Sequence, residues 1–394
     1  MKKNTCSQRK FRFVTFYMVI FSLMFYSFPT FTAAHPYSAS FTNMKFNEDD
    51  TLVTFSIDTL SIMELQEDID ENEDNILQEE EIKADEDHLI EYLTHSVILD
   101  MNNEQQEPEV LSMIVETREN KEFLTISLKY PAFSSGDTIT VNDGLYYKDP
   151  DTNYVNLLSA TYAGGSSQAA LQGENRSWTI LLTEDQQEQQ AGSELTSDSD
   201  TTSRKDPQPA AKTTSSWLSF FKLGMSHILT GYDHLLFLFA LLLRKQTFKQ
   251  YALIVTSFTI AHSVTLSLAV LGIMDLPSKF VESMIALSII YVALENIFKK
   301  EVNHRWGLTF IFGLIHGLGF ANILQEMNLS KANLASALVS FNIGIEVVQL
   351  VIVLLLLPVL TYLHRLKDSA KYIKYGSIVI ILFGAFWLVE RLFS

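Results

Sequence analysis

The chain has 394 residues, 46 of them acidic against 29 basic, for a formal charge of −17, yet its mean hydropathy is positive at +0.12. That pairing suggests an acidic part joined to an apolar part, and the length fits about two domains. Nothing concentrates Lys and Arg into a basic domain, which argues against nucleic acid as main partner, and a single cysteine, Cys6, rules out a disulfide scaffold or a thiolate metal site.

Residues 1–34 read as a secretory signal. Lys2, Lys3, Arg9, Lys10 and Arg12 precede the apolar stretch Phe13–Phe28, and Thr32-Ala33-Ala34 supplies small residues for cleavage. The alternative is an uncleaved anchor helix, for which the apolar run is short. Cleavage after Ala34 would leave His35 at the new N-terminus. Its α-amine and ring nitrogen together could chelate a metal such as copper, although a His at such a site is more often incidental.

Residues 35–186 are polar and mostly strand-like. Ser38–Lys45 and Thr51–Asp58 flank the turn Asn47–Asp50, and Val110–Glu116, Phe123–Tyr130 and Trp178–Leu182 are short, β-branched or aromatic runs. The spacing predicts an antiparallel, sandwich-like domain. Within it, residues 61–95 show helical spacing on both sides of an acidic run, an EF-hand-like insertion. Asp70, Asn72 and Asp74 fall at positions 1, 3 and 5 of a calcium loop, the Ile76 carbonyl at position 7 and Glu81 at position 12. Hard oxygen donors at alternate positions are what calcium requires. Asn75 stands where such loops carry Gly, which weakens the match without abolishing it. A solvated acidic run is the competing reading.

Residues 187–215 carry almost no apolar side chains and read as a disordered linker. From 216 to 394 the sequence predicts a bundle of six transmembrane helices, at about 217–243, 250–273, 278–298, 306–325, 333–363 and 373–393. Basic residues gather in the first, third and fifth loops (Arg244, Lys245, Lys249; Lys299, Lys300, Arg305; Arg365, Lys367, Lys371, Lys374). The positive-inside rule makes those loops cytoplasmic and the β domain extracytoplasmic, as the signal segment also demands. The expected location is therefore a multi-pass cell-membrane protein with the bilayer as partner.

Ionisable groups inside a membrane are costly and usually functional. Counting from the basic loops along straight helices, His234, His262 and His316 lie about 15, 20 and 16 Å above the cytoplasmic boundary. Asp233 adjoins His234, and Glu346 on the fifth span reaches a similar depth. His227 would sit about 10 Å further out. One buried His is ordinarily structural; four with two carboxylates at one depth suggest a site. Imidazole and carboxylate without thiolate suit nickel, zinc, cobalt or iron(II), and a proton relay without metal is the alternative. Gly231, Ser263, Gly313, Gly317 and Gly319 permit close helix approach there, and the segment Ile228-Leu229-Thr230-Gly231-Tyr232 could unwind, which would free carbonyls beside the site.

The run His227-Ile228-Leu229-Thr230-Gly231-Tyr232-Asp233-His234 gives H-x5-D-H. With AHSVTLSL (261–268), GLIHGLGFA (313–321) and FNIGIEVVQL (341–350), it resembles the HupE/UreJ family of membrane proteins over residues 217–394, in the branch with an added extracytoplasmic domain. The resemblance implies a nickel-type divalent-cation permease, with His227, Asp233 and His234 in the family motif. Only half of the later histidine block, His316-Gly317, is present, which bears on nickel specificity more than on metal handling.

Two functions follow. In a permease, Asp233 supplies charge, His227 is an outer relay, His234, His262 and His316 are inner ligands, and Glu346 completes the shell or couples protons. In an intramembrane zinc hydrolase acting on lipid or peptide, Asp233 or Glu346 is the base and Ser263 a hydroxyl near the metal. An assembly or sensor protein whose ectodomain binds a protein partner is a weaker third reading.

Overall fold

The computed structural model describes residues 38–66, 68–72, 74, 76–118, 121–147, 152, 154–162, 165–182, 216–299, 304–325 and 331–393. The expected signal segment, His35, Asn75 and the linker 187–215 lie outside them. The described chain divides into two compact units, one of Tyr37–Gly224 with Ala321–Gly344, the other of Met225–Phe320 with the stretch from Ile345 onward.

In the first unit, alternation drives strand formation. In β2 (Asp50–Asp58), Val53, Phe55 and Ile57 are buried while Leu52 and Thr54 are partly exposed. It pairs antiparallel with β1 (Ala39–Phe46) across the Asn47–Asp49 turn. The remaining strands are β3 (Val97–Met101), β4 (Glu104–Gln105), β5 (Glu109–Arg118), β6 (Lys121–Pro131), β7 (Thr138–Asp143), β8 (Val155–Tyr162), β9 (Gly165–Gln172) and β10 (Ser177–Leu181). They form one sheet of order β5-β6-β2-β1-β8-β9 and a second of order β10-β7-β3-β4. Phe55 and Ile126 of the first sheet share one core with Leu99, Ile139 and Val141 of the second.

The domain is mainly β, as expected, but not purely antiparallel. β8 runs parallel to β1, from Ala39 opposite Val155 to Lys45 opposite Thr161. Val155–Ala160 are buried without alternation, the mark of an interior strand covered on both faces. The helices α1 (Thr59–Leu65), α2 (Glu79–Ala84) and α3 (Glu86–Ser96) send Ile62, Ile82, Leu89 and Leu93 into the same core.

A buried polar group ties the sheets together. Tyr154 donates to Asp143 Oδ2 at 2.9 Å and lies 2.6 Å from Ser40 Oγ, and Arg176 approaches Asp143 at 3.8 Å. Burial pushes the Asp143 carboxyl up to about 6, against the pull of Arg176. The folded protein then binds a proton more tightly than the unfolded chain, so this contribution is fully present below about pH 4 and is lost as pH rises through 6. Thermal melts of the full-length protein from pH 4 to 7 are expected to show this component, on the order of 2–3 kcal/mol, and Asp143→Asn is expected to remove it. An unchanged slope in the variant would refute the assignment.

Among the described residues, four helices are long and apolar enough to cross a membrane: α6 (Phe248–Val270), α7 (Ser278–Phe298), the stretch Leu334–Leu363 of α10 (Lys331–Leu363), and α11 (Ser369–Phe393). A fifth candidate is the pair α4 (Ser216–Thr230) and α5 (Tyr232–Leu242), bent by 69° at Gly231. The expected six spans are met, among the described residues, by four helices and one bent pair. The expected span at 306–325 is instead α8 (Arg305–His316), a turn at 317–320, and α9 (Ala321–Gln325). Twelve residues of α8 reach about 18 Å, short of the ~30 Å apolar core. The chain is a multi-pass membrane protein with a mainly β N-terminal part.

Candidate metal centre

Gly231 sets the geometry of the first two ligands. A Cβ there would meet the His227 carbonyl at 2.7 Å and His234 Nδ1 at 2.9 Å, so only glycine lets the chain fold back tightly enough to bring the two rings together. Their centroids are 4.6 Å apart. His227 therefore joins the cluster and is not the outer residue that a straight helix predicts.

His262 comes from the middle of α6, fully buried. Ligand atoms of His227, His234 and His262 all lie within 4.8 Å of one another. Metal–nitrogen bonds of 2.0–2.1 Å put tetrahedral ligand atoms about 3.4 Å apart, so the three rings have to close by up to about 1.4 Å on an ion. His316, the last residue of α8, adds a fourth ring 5.2 Å from that of His234.

Hydrogen bonds orient two of these rings. His234 Nδ1 lies 2.9 Å from Asp233 Oδ1, which also accepts the His234 backbone N–H at 2.8 Å. His316 Nδ1 lies 2.9 Å from the Phe312 carbonyl. With Nδ1 donating in each case, Nε2 carries the lone pair. Both Nε2 atoms are buried and have no hydrogen-bond partner among the described residues. A carboxylate or carbonyl behind the imidazole is the arrangement that fixes the tautomer of metal-binding histidines. Phe237, Phe258 and Phe320 wall the rings, with centroids 4.9 Å from His316, 5.1 Å from His316 and 4.6 Å from His227 respectively.

Glycine also seats α8 on α6. A Cβ on Gly313 would lie 2.6 Å from the Phe258 carbonyl, and one on Gly317 would clash with the carbonyl of His262. Backbone-to-backbone contact at this level brings His316 to the cluster. At its other end, α8 is held by Arg305, which is 2 % exposed. Its guanidinium donates to the Leu241 carbonyl at 2.7 Å, to Glu295 at 3.3 Å and to Asn296 Oδ1, while Asn296 donates to the Ala240 carbonyl. This clamp joins the ends of α5, α7 and α8. Glu295 is itself buried, at 8 % exposed.

Glu346 stands apart from the histidines. Thr256 donates to its Oε1 at 2.5 Å, and Thr259 donates to Gln349 at 3.2 Å. Glu346 Oε2 is buried with no hydrogen-bond partner among the described residues. Thr256 precedes His262 by six residues of α6, so Glu346 is displaced by about 9 Å along that helix. Among the described residues, the ligand atoms that gather within 4.8 Å are those of His227, His234 and His262, without Glu346. Ser263 back-bonds to the Thr259 carbonyl at 2.7 Å. Asp70, Asn72, Asp74, Ile76 and Glu81 lie in the other unit, between α1 and α2.

Sequence reading missed the phenylalanine wall, the threonine partners and the clamp. The i, i+3 spacing of Thr256 with Thr259 and of Glu346 with Gln349 was the available signal for matched polar faces. Nothing local marks Arg305 and Glu295 as partners.

Residues 203–391 match the family model described as HupE / UreJ protein. No curated protein matches the chain.

Removing one partner of a buried ion pair strands the other charge, at a cost of about 3–5 kcal/mol. Glu295→Ala is expected to lower the stability of the detergent-solubilised protein by that order. Glu282→Ala, which breaks the partly exposed pair with Arg391 at 3.0 Å, should cost under about 1 kcal/mol. Denaturant titrations that rank the two variants equally would contradict the clamp.

Proposed function

We propose, from the match of residues 203–391 to the HupE/UreJ family model, that the chain is a divalent transition-metal permease of the nickel type. The observation that carries this reading is the buried group of His227, His234 and His262 with His316 beside it. Imidazole donors without sulfur suit nickel, cobalt or zinc better than calcium or magnesium. The metal is the cargo. Asp233 holds His234 in its ligating tautomer and contributes negative charge, and the phenylalanine wall keeps competing water away from the rings.

In this reading the β domain is extracytoplasmic and the basic loops face the cytoplasm. The chain crosses six times, with the bent α4–α5 pair as one crossing and α8 with α9 forming another, broken one. Broken helices lining a midplane site are a recurrent transporter device, because unwound backbone is tolerated only around a cavity. An ion arriving from outside meets the histidines first. Glu346, displaced toward the N-terminal, cytoplasmic end of α6, is the next station on the way in, where a carboxylate carries the ion or a proton. The net negative charge of the chain draws cations to the mouth.

The hydrolase alternative finds less support. Ser263 directs its hydroxyl to its own helix backbone, and Glu346 is too far along α6 to serve a water bound at His262.

Purified protein in proteoliposomes, driven by an inward nickel or cobalt gradient, tests the proposal. Wild type is expected to accumulate the ion, and His234→Ala to lose at least tenfold of the rate. Glu346→Gln should slow uptake by a similar factor while leaving equilibrium binding of the ion within about threefold. Equal uptake by wild type and His234→Ala would refute the permease reading. Loss of binding in Glu346→Gln would return Glu346 to the histidine site.

A further inference from the structure

The loop between α1 and α2 lies far in sequence from the histidine cluster and plays no part in the transport reading. Its carboxylates and amides alone mean little, because acidic loops are ordinarily just solvated. What distinguishes it is Glu81. This side chain, on α2, is only 9 % exposed. Its Oε2 accepts the Gln78 backbone N–H at 2.8 Å, but its Oε1 is buried with no hydrogen-bond partner among the described residues. A carboxylate oxygen withdrawn from water without a donor costs free energy. A cation at this point would supply the missing partner.

The oxygens that would complete a coordination shell lie along the same loop. The Asp74 backbone N–H donates to Asn72 Oδ1 at 2.8 Å and to Asp70 Oδ1 at 3.2 Å, and the Ile76 N–H donates to Asp74 Oδ1 at 2.8 Å. These bonds curl the chain around the side-chain oxygens of residues 70, 72 and 74. Gln78 Nε2 then donates to Asp74 Oδ2 at 2.9 Å, which draws the middle of the loop toward the start of α2. Both ends are anchored: Ile69, Leu77 and Ile82 are 4 %, 3 % and 5 % exposed and belong to the sandwich core. The loop is therefore held by the two sheets.

We propose that this loop binds one calcium ion through side-chain oxygens of Asp70, Asn72 and Asp74, the Ile76 carbonyl and Glu81 Oε1. The donors are all hard oxygens, which disfavours nickel or zinc. They are also too many, on too irregular a frame, for magnesium, which keeps an octahedron rich in water. Because the anchors sit in the sandwich core, the ion stabilises the β domain rather than opening a groove, and its affinity falls in the range of about 10⁻⁴–10⁻³ M typical of extracellular modules.

The test is calorimetric titration of chelator-washed, full-length protein with calcium chloride, paired with thermal melting. One saturable site is expected, with a melting temperature that rises with calcium concentration. Glu81→Gln should weaken binding at least tenfold and erase the thermal shift while retaining the wild-type far-UV spectrum. Glu80→Gln, the same charge change at an exposed neighbour, should keep both, as should His262→Ala in the membrane part. Should Glu81→Gln fail to fold, Asp70→Asn carries the same expectation. Absence of saturable heat would overturn the proposal. So would equal losses in Glu80→Gln and Glu81→Gln, calcium heat lost with His262, or magnesium binding as tightly as calcium.

Discussion

Polar rings buried among apolar helices impose a demand that the rest of the membrane unit answers. His234 and His316 each present a buried Nε2 that no described group satisfies, and such atoms are expensive unless something else completes them. Around them the helices are arranged to hold this state. Gly231 folds α4 back onto α5, Gly313 and Gly317 let α8 lie against α6, and Arg305 pins the far end of α8 to α5 and α7. Each device is costly or fragile by itself. Their shared effect is to bring histidines from four helices to one point.

The same geometry separates holding an ion from passing it on. Three ligand atoms within 4.8 Å of one another form a loose cage that has to tighten on binding, and a cage that tightens can also relax. The Glu346–Thr256 and Gln349–Thr259 pairs provide oxygen about 9 Å further along α6. In the proposed permease, a softer nitrogen site followed by a harder oxygen site would make a graded path rather than a trap. The calcium site proposed for the β domain follows the opposite logic, with an oxygen-only loop anchored in the sandwich core and suited to an ion that stays.

Much of this was legible in the sequence because the signals are local. Alternation marked β1 and β2, β-branched and aromatic content marked β6, the helical spacing around residues 70–81 marked α1 through α3, and apolar length marked α6, α7, α10 and α11. The histidines stood out because four of them, with two carboxylates, fall within the predicted spans, where a single one would be read as structural. The segment from Ile228 to Tyr232 read as one able to unwind, but what such a direction change does to the site was not legible. Depth counting treats a span as a straight rod, so it placed His227 outside the cluster, whereas the 69° bend at Gly231 brings it in. It also placed Glu346 with the histidines, since equal depth says nothing about which neighbouring helix a side chain meets. The run 306–325 is apolar enough to suggest one span, but its helix ends at His316, in a stretch where Gly313, Gly317 and Gly319 weaken helix continuity. Parallel pairing of β8 with β1 was equally hidden, because uniform burial erases the alternation that reveals a strand's faces.

X-ray absorption spectroscopy of the nickel- or zinc-loaded full-length protein tests the central claim most directly. A first shell of nitrogen and oxygen at about 2.0–2.1 Å, with outer-shell scattering from three or more imidazoles and no sulfur, is the predicted result, and His262→Ala should remove part of that imidazole signal. An oxygen-only shell, or an imidazole signal untouched by the substitution, would place the ion elsewhere and contradict the account.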